Sequence, residues 1–401
     1  MKMPLLFACL ILVSCATAEE QRTDATSVEQ EDKVEEAPPP VPVVGAARLE
    51  AYLPLLTDRR VGLVVNHTSL IEPDLHLVDV LRNRGVEVVR IFTPEHGFRG
   101  TAADGEHVKS GVDAATGLPI VSLYGRSREM TDEHLAGVDV VVFDLQDVGT
   151  RFYTYISTMH YVMAACARLG KLMVVLDRPN PNGSFVDGPI REEAHRSFVG
   201  MHPIPILHGM TVGELAQMIN GEGWLGEGLE APLQVVEVEN YTRDTPYAPL
   251  VPPSPNLPNY RAVRLYPTLC LLEGTTLSVG RGTPFPFQAV GGPSSDYGMF
   301  TFTPVSTPGA SPHPPLEGQQ CWGVDYRDSD LVGLSLQPLL TFWQNSPDKE
   351  NFFRDYIHLL AGTARLKKQI EEGYTEEEIR ATWAEGLARF RAQRLPYLLY
   401  E

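Results

Sequence analysis

Four clusters of polar residues stand out in the 401-residue sequence, each just after a short apolar run. Asn66 and His67 follow Gly62-Leu63-Val64-Val65, and Thr93-Pro94-Glu95-His96 follows the run 88–92. Asp144, Gln146 and Asp147 follow the run 138–143, and Asp177, Arg178 and Asn180 follow 172–176. Any single Asp, Asn or Thr here reads equally well as a helix cap or turn residue. The set does not, because Glu, His, Gln and Arg are poor caps. Carboxylates in such company suit glycoside hydrolysis, in which one acid protonates the leaving oxygen and a second group acts as base or nucleophile. Phe98, Tyr153 and Tyr155 are aromatics that can pack against a sugar ring, although core packing is the plainer reading for Phe98.

Other chemistries lack their signatures. The first apolar run leads into Asn66-His67-Thr68-Ser69 and not into G-x-G-x-x-G, and no Walker loop is present. There is no H-E-x-x-H, no C-x-x-C and no G-x-S-x-G. Gly280-Arg281-Gly282-Thr283 is glycine-rich but too short to argue phosphate binding. His96, Asp104 and His107 stand close in sequence, but no metal or cofactor is expected.

The elements that must position these residues alternate. Apolar runs rich in β-branched residues at 62–65, 88–92, 118–123, 138–143, 172–176 and 235–238 read as strands. Between them, 75–84 and 155–169 read as helices, the second with Ile156, Met159, Met163 and Cys166 on one face. Thr211 and Glu214 form a capping-box pattern that opens a further helix. This alternation predicts an α/β fold, a parallel sheet with helices on both faces, whose strand ends line one crevice. The proline-dense stretch Pro249 to Asn259 marks the expected boundary between a domain over 46–250 and a second over 251–401. In the second, 301–315 reads as loop. Thr375 caps a helix whose Ile379, Trp383, Leu387 and Phe390 form a buried stripe.

Charge and the N-terminal segment bound the setting. Lys and Arg number 33 against 51 Asp and Glu, a net charge of −18, which argues against a nucleic-acid partner. Residues 1–14 read as an export signal, too short in its apolar run to span a bilayer. Leu12-Val13-Ser14-Cys15 resembles a lipobox, with Cys15 the lipidated residue and a membrane anchor as the consequence; Ala16-Thr17-Ala18 is the alternative cleavage site. Residues 15–45 read as a disordered tether, acidic and Pro-rich, with eight acids against two bases over 19–45. Cys166, Cys270 and Cys321 do not form a disulfide framework.

Several longer motifs occur together in one order. They are Thr93-Pro94-Glu95-His96-Gly97-Phe98, the run from Phe143 to Tyr155, and Leu176-Asp177-Arg178-Pro179-Asn180-Pro181. Leu207-His208-Gly209-Met210-Thr211, Glu273-Gly274-Thr275, the run from Ser278 to Thr283, and Tyr397-Leu398-Leu399-Tyr400 follow. In these the sequence resembles the NamZ-type exo-β-N-acetylmuramidases across 46–401, departing after Gln288, where Gly291 to Asp296 lacks a tryptophan. The resemblance implies a Rossmann-like catalytic domain, a smaller α+β auxiliary domain and an active crevice between them. It also implies release of N-acetylmuramic acid from the non-reducing end of peptidoglycan-derived glycans. On that reading Glu95 is the principal acid/base, and His96 tunes it or binds substrate. Asp144, Asp147, Asp177 and Glu273 all qualify as the partner carboxylate, and the sequence does not rank them. Arg151, Arg178 and Arg281 are the candidates to hold the lactyl carboxylate, each with an internal ion pair as the competing use. Tyr153 orients the nucleophile or stacks on the ring, and Asn66, Gln146, Asp177 and Asn180 complete the expected binding set. The bacterial cell envelope, on the periplasmic side, is the expected location. A non-catalytic lipoprotein that binds peptidoglycan fragments, and another envelope hydrolase such as an amidase or esterase, are the competing functions.

Overall fold

The strand order sets the polar clusters side by side. The computed structural model describes residues 41–95, 97–98, 110–125 and 128–401. The export signal, Cys15, the tether up to residue 40, His96, Asp104 and His107 lie outside the described residues. Helix α1 (Leu49–Leu56) leads into β1 (Arg60–Val65), and a small hairpin of β2 (Leu70–Glu72) and β3 (Leu75–His76) precedes α2 (Leu77–Asn83). The chain continues through β4 (Glu87–Thr93), β5 (Gly111–Val112), β6 (Pro119–Ser122), β7 (Val140–Asp144), α3 (Tyr155–Leu169), β8 (Leu172–Leu176), α4 (Val212–Gly221) and β9 (Leu233–Val236). Among the described residues the main sheet has seven strands in the order β5-β6-β4-β1-β7-β8-β9. All neighbours are parallel except β5 against β6.

Strand β1 pairs with β4 on one side and β7 on the other, with Val65 opposite Asp144. The order of addition reverses there, and the carboxyl ends of β1 and β7 flank the switch point where open α/β sheets bind ligands. The alternation of side chains divides the sheet between two cores. Val61, Leu63, Val65, Val140, Val142, Val174 and Leu176 share one core with Tyr52 of α1 and Leu77, Val78 and Leu81 of α2. Val64, Val141, Phe143, Met173 and Val175 face the other, with Ile156, Met159, Met163 and Cys166 of α3 and Leu215 and Met218 of α4. Both faces are thus covered by helices, which is why these strands read as continuous apolar runs. Thr211 and Glu214 form the expected reciprocal capping box.

The C-terminal part contains α5 (Tyr260–Leu269) and a three-stranded antiparallel sheet of β10 (Ala289–Gly292), β11 (Phe300–Phe302) and β12 (Cys321–Asp325), in the order β10-β12-β11. Helices α6 (Gln337–Gln344), α7 (Tyr356–Ala361), α8 (Arg365–Glu371), α9 (Glu376–Ala381) and α10 (Ala384–Arg394) follow.

Four expectations are corrected. The helix expected from Leu75 begins at Leu77, because Leu75 and His76 pair in the hairpin and the His76 ring caps α2, its Nδ1 accepting from the Val78 N–H at 3.2 Å. The sixth strand runs over 233–236, two residues earlier than expected. The stretch 301–315 begins as strand β11. The helix capped by Thr375 is two helices, broken at Thr382 and Trp383, where the Thr382 hydroxyl donates back to the Ile379 carbonyl at 2.6 Å. Its stripe of Ile379, Trp383, Leu387 and Phe390 is nonetheless buried. Cys166, Cys270 and Cys321 are free and buried. Among the described residues no helix is long and apolar enough to cross a membrane.

Candidate active site

A cavity of about 440 Å³ opens beside the carboxyl end of β4. Glu95 and the start of α3 (Tyr153, Thr154, Tyr155) line it from the sheet. Ser254, Asn256 and Leu257 line it from the proline-dense segment, and Tyr266, Cys270, Glu273, Arg281 and Arg354 from the C-terminal part.

Glu95 stands two residues beyond β4 and is 9% exposed. The Thr154 hydroxyl, at the cap position of the 15-residue helix α3, lies 3.4 Å from its Oε2. Beside it, the Tyr153 hydroxyl donates to the Pro253 carbonyl at 2.8 Å. The Tyr155 hydroxyl accepts from the Asn66 amide at 2.8 Å and lies 3.5 Å from the same carbonyl. The two rings meet edge to face at 4.8 Å between centroids. Burial, aided by the neighbouring Tyr155, Asp147 and Glu95, pushes the Tyr153 phenol well above its ordinary range, so it stays protonated and donates.

Glu273 faces the cavity from the segment after α5. Its Oε1 accepts from the Arg281 Nε at 2.5 Å, and the Cys270 thiol lies 3.6 Å from Oε2. The Arg281 guanidinium also stands 4.8 Å from the centre of the Phe287 ring. Of the described residues expected to carry or border the chemistry, the cavity gathers Glu95, Tyr153, Tyr155, Glu273 and Arg281.

The others lie outside the cavity lining and are bonded within the protein. Asp144 and Arg178 form a buried two-point ion pair, and Arg178 also donates to the Leu70 carbonyl at 2.9 Å. Asp177 accepts from Thr211 Oγ1 at 2.6 Å, Tyr400 Oη at 2.7 Å and the Gly213 N–H at 2.8 Å. Burial still pushes its carboxyl up to about 6. Arg151 is fully buried without a carboxylate, donating to the carbonyls of Pro189, Ile204 and Leu360, and burial pushes it down to about 9. Gln146 bridges the carbonyls of Asp147 and Pro179 and accepts from the Tyr247 hydroxyl. Asn180 bonds the Met210 carbonyl and the Asn182 N–H, and Asn66 braces Thr68 as well as Tyr155. Phe98 is buried against His76, as its core reading requires.

Asp147 is the unusual member. Its Oδ1 accepts from the Gly149 N–H at 2.7 Å, while its Oδ2 is buried with no hydrogen-bond partner among the described residues. Burial pushes this carboxyl up to about 7, against the opposing pull of the Gly149 and Val148 N–H groups. Gly149 makes the turn possible: its φ is +77°, and a Cβ there would lie 2.0 Å from Asn180 Oδ1.

Sequence reasoning missed Arg128, Ser254, Asn256 and Arg354. Ser254 and Asn256 carried a signal, as polar residues set between prolines in a stretch read only as a boundary. Arg128 and Arg354 belong to no motif and reach the cavity only through the tertiary fold. Among the described residues, no three His, Cys, Asp or Glu side chains form a metal-binding group.

Comparison with known proteins places this architecture. A family model described as exo-beta-N-acetylmuramidase NamZ, N-terminal, matches residues 61–261, and its C-terminal counterpart matches 264–400. The peptidoglycan beta-N-acetylmuramidase NamZ of Bacillus subtilis is 38% identical over 377 residues, covering 88% of this chain and 89% of the relative. A crystal structure of a DUF1343 family protein from Bacteroides fragilis superposes with a TM-score of 0.83 at 42% identity, covering 90% of this chain and 99% of the other. A second from the same organism gives 0.77 at 29% identity, with the same coverage. The chain belongs to the NamZ family of exo-β-N-acetylmuramidases, which are glycosidases.

Proposed function

We propose that this protein releases N-acetylmuramic acid from the non-reducing end of peptidoglycan-derived glycans, in the cavity bounded by the sheet and the C-terminal part. The observation that carries the reading is the meeting of Glu95 and Glu273, 178 positions apart in the chain, in one cavity also lined by tyrosines. Two carboxylates at one site are the usual equipment for glycoside hydrolysis. In this scheme the Glu95 carboxyl gives its proton to the glycosidic oxygen as the bond from that oxygen to the anomeric carbon breaks. Glu273, ion-paired with Arg281, is the second carboxylate and faces the positive charge that develops on the sugar; water then forms the new bond to the anomeric carbon and gives up a proton that restores the Glu95 carboxyl. Tyr153, bonded to Pro253, holds the wall beside Glu95. The protein acts at the periplasmic side of the envelope, anchored through lipid on Cys15; labelling with a radioactive fatty acid, abolished by Cys15→Ser, tests the anchor.

The test of the activity is hydrolysis of a chromogenic N-acetylmuramic acid glycoside and its N-acetylglucosamine counterpart by wild type, Glu95→Gln and Glu273→Gln. The expected result is release from the muramic substrate, with kcat lowered at least roughly 10²-fold in Glu95→Gln, the usual size of a general-acid effect. Full activity in a folded Glu95→Gln protein removes Glu95 from this role. Binding without turnover by wild type favours the fragment-binding function instead.

A further inference from the structure

We infer that Arg354 selects the anionic sugar by pairing with the lactyl carboxylate of N-acetylmuramic acid, an inference that rests on the muramidase reading above. Among the described residues the cavity is lined by three arginines (Arg128, Arg281 and Arg354) and two glutamates. That is a cationic excess inside a chain of net charge −18, the pattern expected of a site for an anion. The other arginines have uses. Arg281 holds Glu273 and lies over Phe287. Arg128 lies 4.2 Å from the centre of the Phe198 ring. Arg151 and Arg178, the other candidates from sequence, are buried away from the cavity on carbonyls and on Asp144. The Arg354 side chain is exposed and has no ion pair, hydrogen bond or ring contact among the described residues.

Its backbone is fixed all the same. The Arg354 N–H donates to the Gly274 carbonyl at 2.9 Å, the Thr276 N–H donates to the Phe352 carbonyl at 2.9 Å, and Thr275 pairs with Phe353 in an antiparallel bridge. Phe352 and Ile357, on either side, are buried. The segment that begins at Glu273 therefore carries Arg354 alongside it. A free guanidinium on a rigid base is a two-point receptor for a planar carboxylate. The hydroxyl that N-acetylglucosamine carries in place of the lactyl ether offers it no charge.

The experiment compares wild type, Arg354→Ala and Arg354→Lys on a chromogenic N-acetylmuramic acid glycoside and on the same glycoside with its lactyl carboxylate converted to the primary amide. Wild type is expected to prefer the acid by roughly 10- to 100-fold in kcat/KM, the effect of a charge-assisted two-point bond, expressed mainly in KM. Arg354→Ala should bring the acid down to about the level of the amide and lower the amide far less, because the uncharged amide takes only a neutral-acceptor hydrogen bond from the guanidinium; the loss should fall on KM, because a binding contact shared by ground and transition states moves KM. Arg354→Lys should restore part of the preference. An Arg354→Ala protein that still prefers the acid as wild type does overturns the role of Arg354 and leaves the muramidase reading standing. A folded wild type that hydrolyses neither muramic substrate overturns that reading, and this inference with it.

Discussion

Arg178 meets Asp144 at two points, Nε to Oδ1 at 2.6 Å and Nη2 to Oδ2 at 2.9 Å, with both side chains out of contact with solvent. The pair ties the end of β7 to the segment just after β8. Removing one member leaves the other as an uncompensated buried charge. Arg178→Ala is therefore expected to lower unfolding free energy by about 3–5 kcal/mol, measured by urea denaturation. Replacing both with apolar residues of similar volume should cost less than either single change. A stable Arg178→Ala protein with a raised KM would instead return Arg178 to the substrate-binding set.

Asp147 gives stability a pH signature. Its folded carboxyl titrates near 7, above its ordinary 3.8. For an acid raised in this way, the contribution to stability is fully present below the unfolded value and is lost as pH rises through the folded one. Asp147→Asn keeps an oxygen to accept from Gly149 and removes the charge. It should melt higher than wild type at pH 8, with the difference shrinking to nothing near pH 4. Thermal melts of both proteins across that range decide the matter; equal melting temperatures at pH 8 would contradict it.

Tyr153 links the start of α3 to the proline-dense segment through the Pro253 carbonyl. Tyr153→Phe keeps the ring and its contacts with Tyr155 and Tyr266 but, among the described residues, leaves that carbonyl with only the long contact from Tyr155. The loss of about 1–2 kcal/mol expected for such a bond should appear as a roughly 5- to 30-fold fall in kcat/KM, since Ser254 and Asn256 border the same cavity. Steady-state kinetics on the muramic glycoside measure it. A variant with unchanged kinetics and lowered melting temperature would show that the bond serves folding alone.

The sheet was legible because its strands are buried on both faces. Val140 to Phe143 and Leu172 to Leu176 could only be core strands, and the helix 155–169 announced its apolar face. Strand β10 carried no such signal. Its Gly291 and Gly292 accept close neighbours, a Cβ on Gly291 lying 2.6 Å from the Trp322 carbonyl oxygen, and glycines have no side chain with which to advertise a strand. In the site, Glu95 was readable from its place after a strand, and Glu273 and Arg281 from their motifs. That Asp144 and Arg178 would face one another was not, because residue type alone does not distinguish a carboxylate free for substrate from one already paired. Arg354 was invisible for a different reason. Its position depends on the pairing of Thr275 with Phe353, a contact 78 residues long that no local periodicity encodes.

The proline-dense segment also bears on how a ligand is received. Five of the eleven residues from Pro249 to Asn259 are prolines, and the carbonyls of Pro252 and Pro253 are held by His67 and Tyr153. Each proline ring fixes one backbone dihedral before folding begins, so this wall of the cavity gives up little conformational freedom when it is ordered. A strand or helix is stiff because of its ladder of hydrogen bonds; this wall is stiff because of its covalent rings. Ligand entry there is accordingly expected to carry a small ordering entropy, the cost having been met when the chain was made rather than when the sugar arrives.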